Sequence, residues 1–149
     1  LAFSNFISDL KLETTKHVSW FDLKDSFSEY GVKTVGLLCE EIVASGKVAQ
    51  DRYLAGFQQI PPVIPGLGPV DLKETKLSMR VGVDLARKIE AGAMPSLTQT
   101  LPSAAYSLGG LVDACHPTAA AVVVSIGQEA TLIEKLEAEI ALQISKIDS

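Results

Sequence analysis

The stretch Thr118-Ala119-Ala120-Ala121-Val122-Val123-Val124-Ser125-Ile126-Gly127 decides the fold. Three consecutive β-branched valines favour a strand. The flanking alanines favour a helix, as does the three-and-four spacing that continues through Ile133, Leu136, Ile140, Ile144 and Ile147. The helical reading accounts for more residues, so a single helix capped by Thr118 and running to Ile147 is expected. Residues 119–124 are apolar all round, which places that half of the helix at the centre of the molecule. The second half is charged on one side. Glu134, Lys135, Glu137 and Glu139 read there as a solvated face.

Helical spacing extends over the rest of the chain on the same reading. Phe3, Phe6, Ile7 and Leu10 form a short amphipathic turn fading near Lys16. Ser19 with Asp22 resembles a capping box, opening a helix with the stripe Leu23, Phe27, Gly31, Val35, Leu38 and Ile42 that Gly46 stops. Tyr53, Phe57 and Ile60 suggest a shorter helix. Asp71 opens the next, with Leu77, Val81, Leu85 and Ile89 as its stripe and Gly92 as its end. Ser96 or Thr100 opens another, carrying Leu101, Ala105, Leu108, Val112 and Cys115, with Pro117 as its stop. The expected fold is all-α. It is one domain over residues 1–149, an antiparallel bundle of five or six helices joined by an apolar Pro/Gly-rich loop.

The 149 residues are 47% hydrophobic and 21% charged, with a net charge of -5. Mean hydropathy is +0.25. These values exclude an intrinsically disordered chain. No run of Lys and Arg exists, so no nucleic-acid partner is expected. The longest uncharged stretch, 91–112, contains two prolines, so a membrane-spanning helix is not expected either. Leu1 in place of Met reads as a processed or trimmed start, and a secreted, extracellular location is expected with the cytoplasm left open. Cys39 and Cys115 either pair, closing a long loop, or remain as buried free thiols.

Motifs for catalysis are missing. No G-x-S-x-G, H-E-x-x-H, P-loop or G-x-G-x-x-G is present. Asp113, Cys115 and His116 lie close together but lack metal-ligand spacing and a second cluster. No enzyme, metal or cofactor is therefore expected.

Two features carry the functional expectation. Residues 61–70, Pro-Pro-Val-Ile-Pro-Gly-Leu-Gly-Pro-Val, hold no charge and no hydrogen-bonding side chain. An apolar loop of this kind either plugs one end of the bundle or marks a contact surface. Gly31, Gly36, Gly56, Gly82, Gly109, Gly110 and Gly127 fall inside expected helices, where each costs roughly 0.5–1 kcal/mol relative to Ala. They imply either thin, closely packed helices or an internal void. The expectation drawn from both is a lipid-binding carrier, holding a small fatty-acid-like ligand among Gly31, Phe57, Ile60, Val63, Ile64 and Leu67. Arg52, Tyr53 and Tyr106 would stand near its polar head. The alternative is a structural or protein-interaction module that self-associates, as a homodimer, or docks through its apolar loop.

Overall fold

The computed structural model describes residues 4–27, 30–60, 63–64, 68–69 and 73–149. The chain is mixed α/β rather than an all-α bundle, built on a six-stranded sheet. Its elements in order are α1 (Ser4–Asp9), β1 (Glu13–Thr14), β2 (Val18–Asp22), α2 (Thr34–Ser45), β3 (Tyr53–Gln59), β4 (Val63–Ile64), β5 (Gly68–Pro69), β6 (Glu74–Arg80), α3 (Val83–Glu90), α4 (Leu97–Tyr106), β7 (Leu111–Cys115), β8 (Ala119–Ser125) and α5 (Glu129–Ile147).

The deciding stretch is a strand. Residues 119–125 form β8, and only the second half of the expected helix is helical, as α5. β8 sits between β6 and β7, paired antiparallel to both. Its residues are apolar on both faces because both faces are covered or partly covered. Burial on two sides removes the polar alternation by which a strand is recognised. β3 departs from expectation for the same reason, since residues 53–58 are all buried. The stripe Leu77, Val81, Leu85, Ile89 crosses a boundary. Leu77 belongs to β6, while Leu85 and Ile89 belong to α3. The stripe opened by Ser19 also divides, between β2 and α2.

Two local signals, Gly46 and Ser96, are where the sequence places them, whereas the caps expected at Ser19 and Thr118 open no helix. Gly46 caps α2 in the left-handed region at φ 80°. Ser96 opens α4 with a reciprocal capping box: its hydroxyl accepts from the Gln99 N–H, and the Gln99 side chain accepts from the Ser96 N–H.

The sheet order is β1-β2-β3-β6-β8-β7. β2 and β3 are parallel, joined by the α2 crossover, and every other pair in the sheet is antiparallel. A second two-stranded ribbon joins β4 to β5 within the Pro/Gly segment. α4 and α5 cover one face of the sheet. Leu101, Ala105, Leu132, Leu136 and Ile140 pack there against Val18, Tyr53, Phe57, Leu77 and Val122. α1 and α2 cover the other face, with Ile7, Val35, Leu38 and Ile42 against Phe21 and Leu54. Among the described residues no helix is long and apolar enough to cross a membrane.

The glycines expected to hollow out helices do not do so. Gly56 lies in β3, and a Cβ there would stand 2.4 Å from the Phe21 ring. The missing side chain is filled by its neighbour. The all-α, helical-bundle and lipid-binding expectations are corrected together, because the helices lie across a sheet and enclose no bundle interior.

Candidate functional site

A cleft opens because α2 covers only part of its face. The crossover helix packs over β3 and β6, leaving β8 and β7 partly bare on that side. The floor is therefore made of small residues, Ala114, Ala119 and Ala121. One wall is the first turn of α2, with Lys33, Gly36 and Leu37. Lys76, Ser78 and Arg80 rise from β6, and Asp113 and His116 stand at the outer rim. The cleft measures about 320 Å³, near the lower end of the range for small-molecule sites.

Buried Gln58 sets the position of the α2 wall. Its Oε1 accepts from the Val35 N–H at 3.1 Å, and its Nε2 donates to the Gly31 carbonyl at 3.0 Å. β3 thus grips the start of α2 from below. The Thr34 N–H donates to the Gly31 carbonyl. The Gly36 N–H, also in the first turn, has no partner among the described residues.

Three permanent cations line the cleft against one carboxylate, Asp113, in a chain whose net charge is -5. Lys76 Nζ lies 3.7 Å from Asp113 Oδ2. Arg80 Nε donates to Glu40 Oε1 at 3.3 Å, and its Nη1 donates to the Met79 carbonyl at 2.8 Å. Its Nη2 has no acceptor among the described residues and faces Gly36, where a Cβ would come within 3.0 Å of it. Ser78 is 2% exposed, and its hydroxyl lines the cleft with no hydrogen-bond partner among the described residues. Cys39 beneath donates to the Ser78 carbonyl at 3.7 Å. Burial pushes its thiol up to about 12, so it stays protonated.

A second polar cluster is satisfied within itself. Glu137 of α5 accepts the Thr15 hydroxyl at 2.6 Å, the His17 N–H at 2.5 Å and the His17 ring Nδ1 at 2.7 Å. Burial raises this carboxyl. The Thr15 and His17 side-chain hydrogen bonds, the His17 amide and the His17 charge outweigh it and hold the group below the ordinary carboxylate range. The cluster braces α5 to the β1–β2 turn. Its spacing gave no sign of this, because the partners lie about 120 residues apart.

A larger groove of about 600 Å³ runs between α1 and the end of α2. Lys47, the cation lining it among the described residues, already donates to the Ser8 carbonyl.

Of the residues expected to form a lipid site, those described are placed as follows. Phe57 and Tyr53 are fully buried in the core beneath α4 and α5. Phe57 packs edge-on to Trp20, and the Tyr53 hydroxyl donates to the Pro95 carbonyl. Arg52 clamps the β1–β2 turn, donating to the Thr15, Lys16 and Val18 carbonyls and the Ser19 hydroxyl. Gly31 lies in the approach to α2 at φ 92°. Tyr106 ends α4 and is exposed. Ile60 is half-buried beyond β3, where its N–H donates to the Glu74 carbonyl. Val63 and Ile64 form β4, and Leu67 lies outside the described residues. Cys39 and Cys115 are both free thiols, packed against the clusters on opposite faces of the sheet. Among the described residues no group of three or more His, Cys, Asp or Glu side chains is placed to hold a metal ion.

No family model and no curated protein matches the chain. Solved structures do. The C-Ala domain of Aquifex aeolicus alanyl-tRNA synthetase aligns at TM-score 0.53 and 8% identity, over 89% of this chain and 99% of that one. CDC45 from Entamoeba histolytica aligns at TM-score 0.59 and 7% identity, over 89% of this chain and 25% of that one. The chain therefore matches nearly the whole of the first and spans about a quarter of the second. At these identities the likeness is one of fold.

Proposed function

We propose that this chain is a non-catalytic binding domain of a nucleic-acid-handling protein, and that its cleft takes one phosphate-bearing nucleotide of a single strand. The observation that carries this reading is the reversal of charge. Lys33, Lys76 and Arg80 converge on one cleft of an acidic chain. The alanine floor offers a flat apolar surface on which a base can lie, and the cations neutralise its phosphate. The fold supports the reading, since a domain of the same fold belongs to an alanyl-tRNA synthetase, an enzyme named for tRNA. The expected absence of a nucleic-acid partner rested on there being no run of basic residues. The three cations come from positions 33, 76 and 80, which only folding brings together.

Fluorescence anisotropy of a short labelled single-stranded oligonucleotide tests the proposal. Saturable binding is expected, weakening as salt rises because counterions are released on contact with phosphates. Lys76→Glu should weaken it about tenfold or more, by replacing an attractive contact with a repulsive one. A chain that shows no saturable binding at low salt, or a Lys76→Glu variant that binds as well as the wild type, removes the reading.

A further inference from the structure

Resting on that reading and deepening it, we propose that the first turn of α2 is a phosphate-binding subsite formed by the Gly36 N–H, the Ser78 hydroxyl and Arg80 Nη2. Three observations meet there. α2 is a 12-residue helix, and its N-terminal turn carries partial positive charge and outward N–H groups suited to an anion. The Val35 N–H is consumed by Gln58, which leaves the Gly36 N–H as a free donor at the cleft wall. The Ser78 hydroxyl is independent of the helix. It belongs to β6, in a residue 2% exposed, lines the cleft and has no partner among the described residues. The hydroxyl opens on the cleft rather than into the core, and an oxyanion there supplies its acceptor.

Arg80 completes the set. Two of its nitrogens are committed, Nε to Glu40 and Nη1 to the Met79 carbonyl. These bonds hold the guanidinium still and turn Nη2 toward Gly36. Glycine suits position 36 because a side chain would press on that nitrogen at 3.0 Å. Glu40 and Asp113 are the nearby carboxylates. Each is paired with a cation, through Arg80 Nε and Lys76 Nζ respectively. The ligand class is a phosphate monoester or diester. The phosphate sits at the wall, and the attached sugar and base extend over the alanine floor.

Amide-resolved NMR titration separates the parts of this proposal. Thymidine 5′-monophosphate, thymidine and inorganic phosphate are each added to the chain. The Gly36 amide is expected to shift saturably with thymidine 5′-monophosphate and with inorganic phosphate, and to stay still with thymidine. Ser78→Ala should weaken thymidine 5′-monophosphate binding about tenfold, the usual effect of losing a hydrogen bond to a charged group. Gly36→Ala should also weaken it, and the wild-type amide shifts decide the matter should either variant fold poorly. Shifts at Ala119 and Ala121 with Gly36 unmoved, or a Ser78→Ala variant that binds normally, would overturn the subsite while leaving the cleft as a nucleotide site. A Gly36 shift with inorganic phosphate alone supports the anion site and overturns the nucleotide class. Silence from all three probes, with oligonucleotide binding retained, also overturns the subsite.

Discussion

Gly56 shows how a single residue was misread and why. In a helix, a glycine removes a side chain from an inner face and leaves space. In β3 the Phe21 ring occupies that space, with three ring atoms 2.4–2.9 Å from where a Cβ would stand. Phe21 is buried at 3% exposure, so its ring cannot step aside into solvent. Gly56→Ala is expected to destabilise the chain by about 2–3 kcal/mol, the cost of overpacking a close-packed site. Chemical denaturation measures it, and an unchanged midpoint would show that the ring has room to move. Residues with purely local roles were legible. Gly46 and Ser96 act through their own backbone neighbours, so no tertiary knowledge was needed to assign them. Glu137 was not legible. On a helix surface it is indistinguishable from Glu134, and its partners Thr15 and His17 lie in another part of the chain.

At the scale of elements, Glu137 matters because it ties α5 to the turn between β1 and β2. Its carboxyl is held below the ordinary value of 4.5 in the folded chain. A depressed folded value means that the ionised form favours folding. That stability is present above the unfolded value of about 4.5 and is lost as pH falls through the lower folded one. Asp22 acts in the opposite sense. Burial raises its carboxyl above 3.8, so its ionisation costs the folded state stability as pH rises through that interval. Glu137→Gln is expected to lower stability at neutral pH by about 1–2 kcal/mol, since the amide cannot accept from all three donors. Thermal unfolding across pH checks this. The gap between wild type and variant should narrow as pH falls from 4.5 through the lower folded value, where wild-type Glu137 becomes protonated too. A gap that stays constant with pH would mean that packing, not charge, holds the brace.

The elements also explain which parts of the fold could be read. α5 and the C-terminal half of α2 carry a helical stripe that ends where their structure ends. β3 and β8 carry none of the period-two alternation that marks a strand, because apolar residues are needed on both of their faces; β6 does alternate, with Leu77 and Met79 in the core and Lys76, Ser78 and Arg80 on the cleft side. Where a strand is followed closely by a helix, as β6 is by α3, apolar residues of both fell into one false helical stripe.

Across the whole molecule, stability should follow position in the sheet. β3, β6 and β8 have paired neighbours on both sides, whereas β1 and β7 are edges. β7 is also interrupted by a register shift between Val112 and Ala114, and its residues are exposed or half-buried. Hydrogen exchange is expected to be slowest for amides of β3 and β6 and fast across the outer edge of β7. Equal protection in β7 and β6 would mean that something covers that edge in solution. The cleft beside β7 is likewise a property of the whole molecule. Lys33, Lys76 and Arg80 are unremarkable where they stand in the chain. They line one cleft because α2 crosses the sheet over β3 and β6.

The amino-acid order by itself determined the stop of α2 at Gly46, the start of α4 at Ser96, the amphipathic α5 and the lack of any known catalytic motif. Each depends on the conformational preferences of neighbouring residues or on a pattern complete within one segment. The tertiary structure decided the rest. Whether an apolar run became strand or helix depended on what covered it, and the charge of the cleft depended on three residues meeting across the sheet. Both are set by contacts between distant parts of the chain, which composition and periodicity do not record.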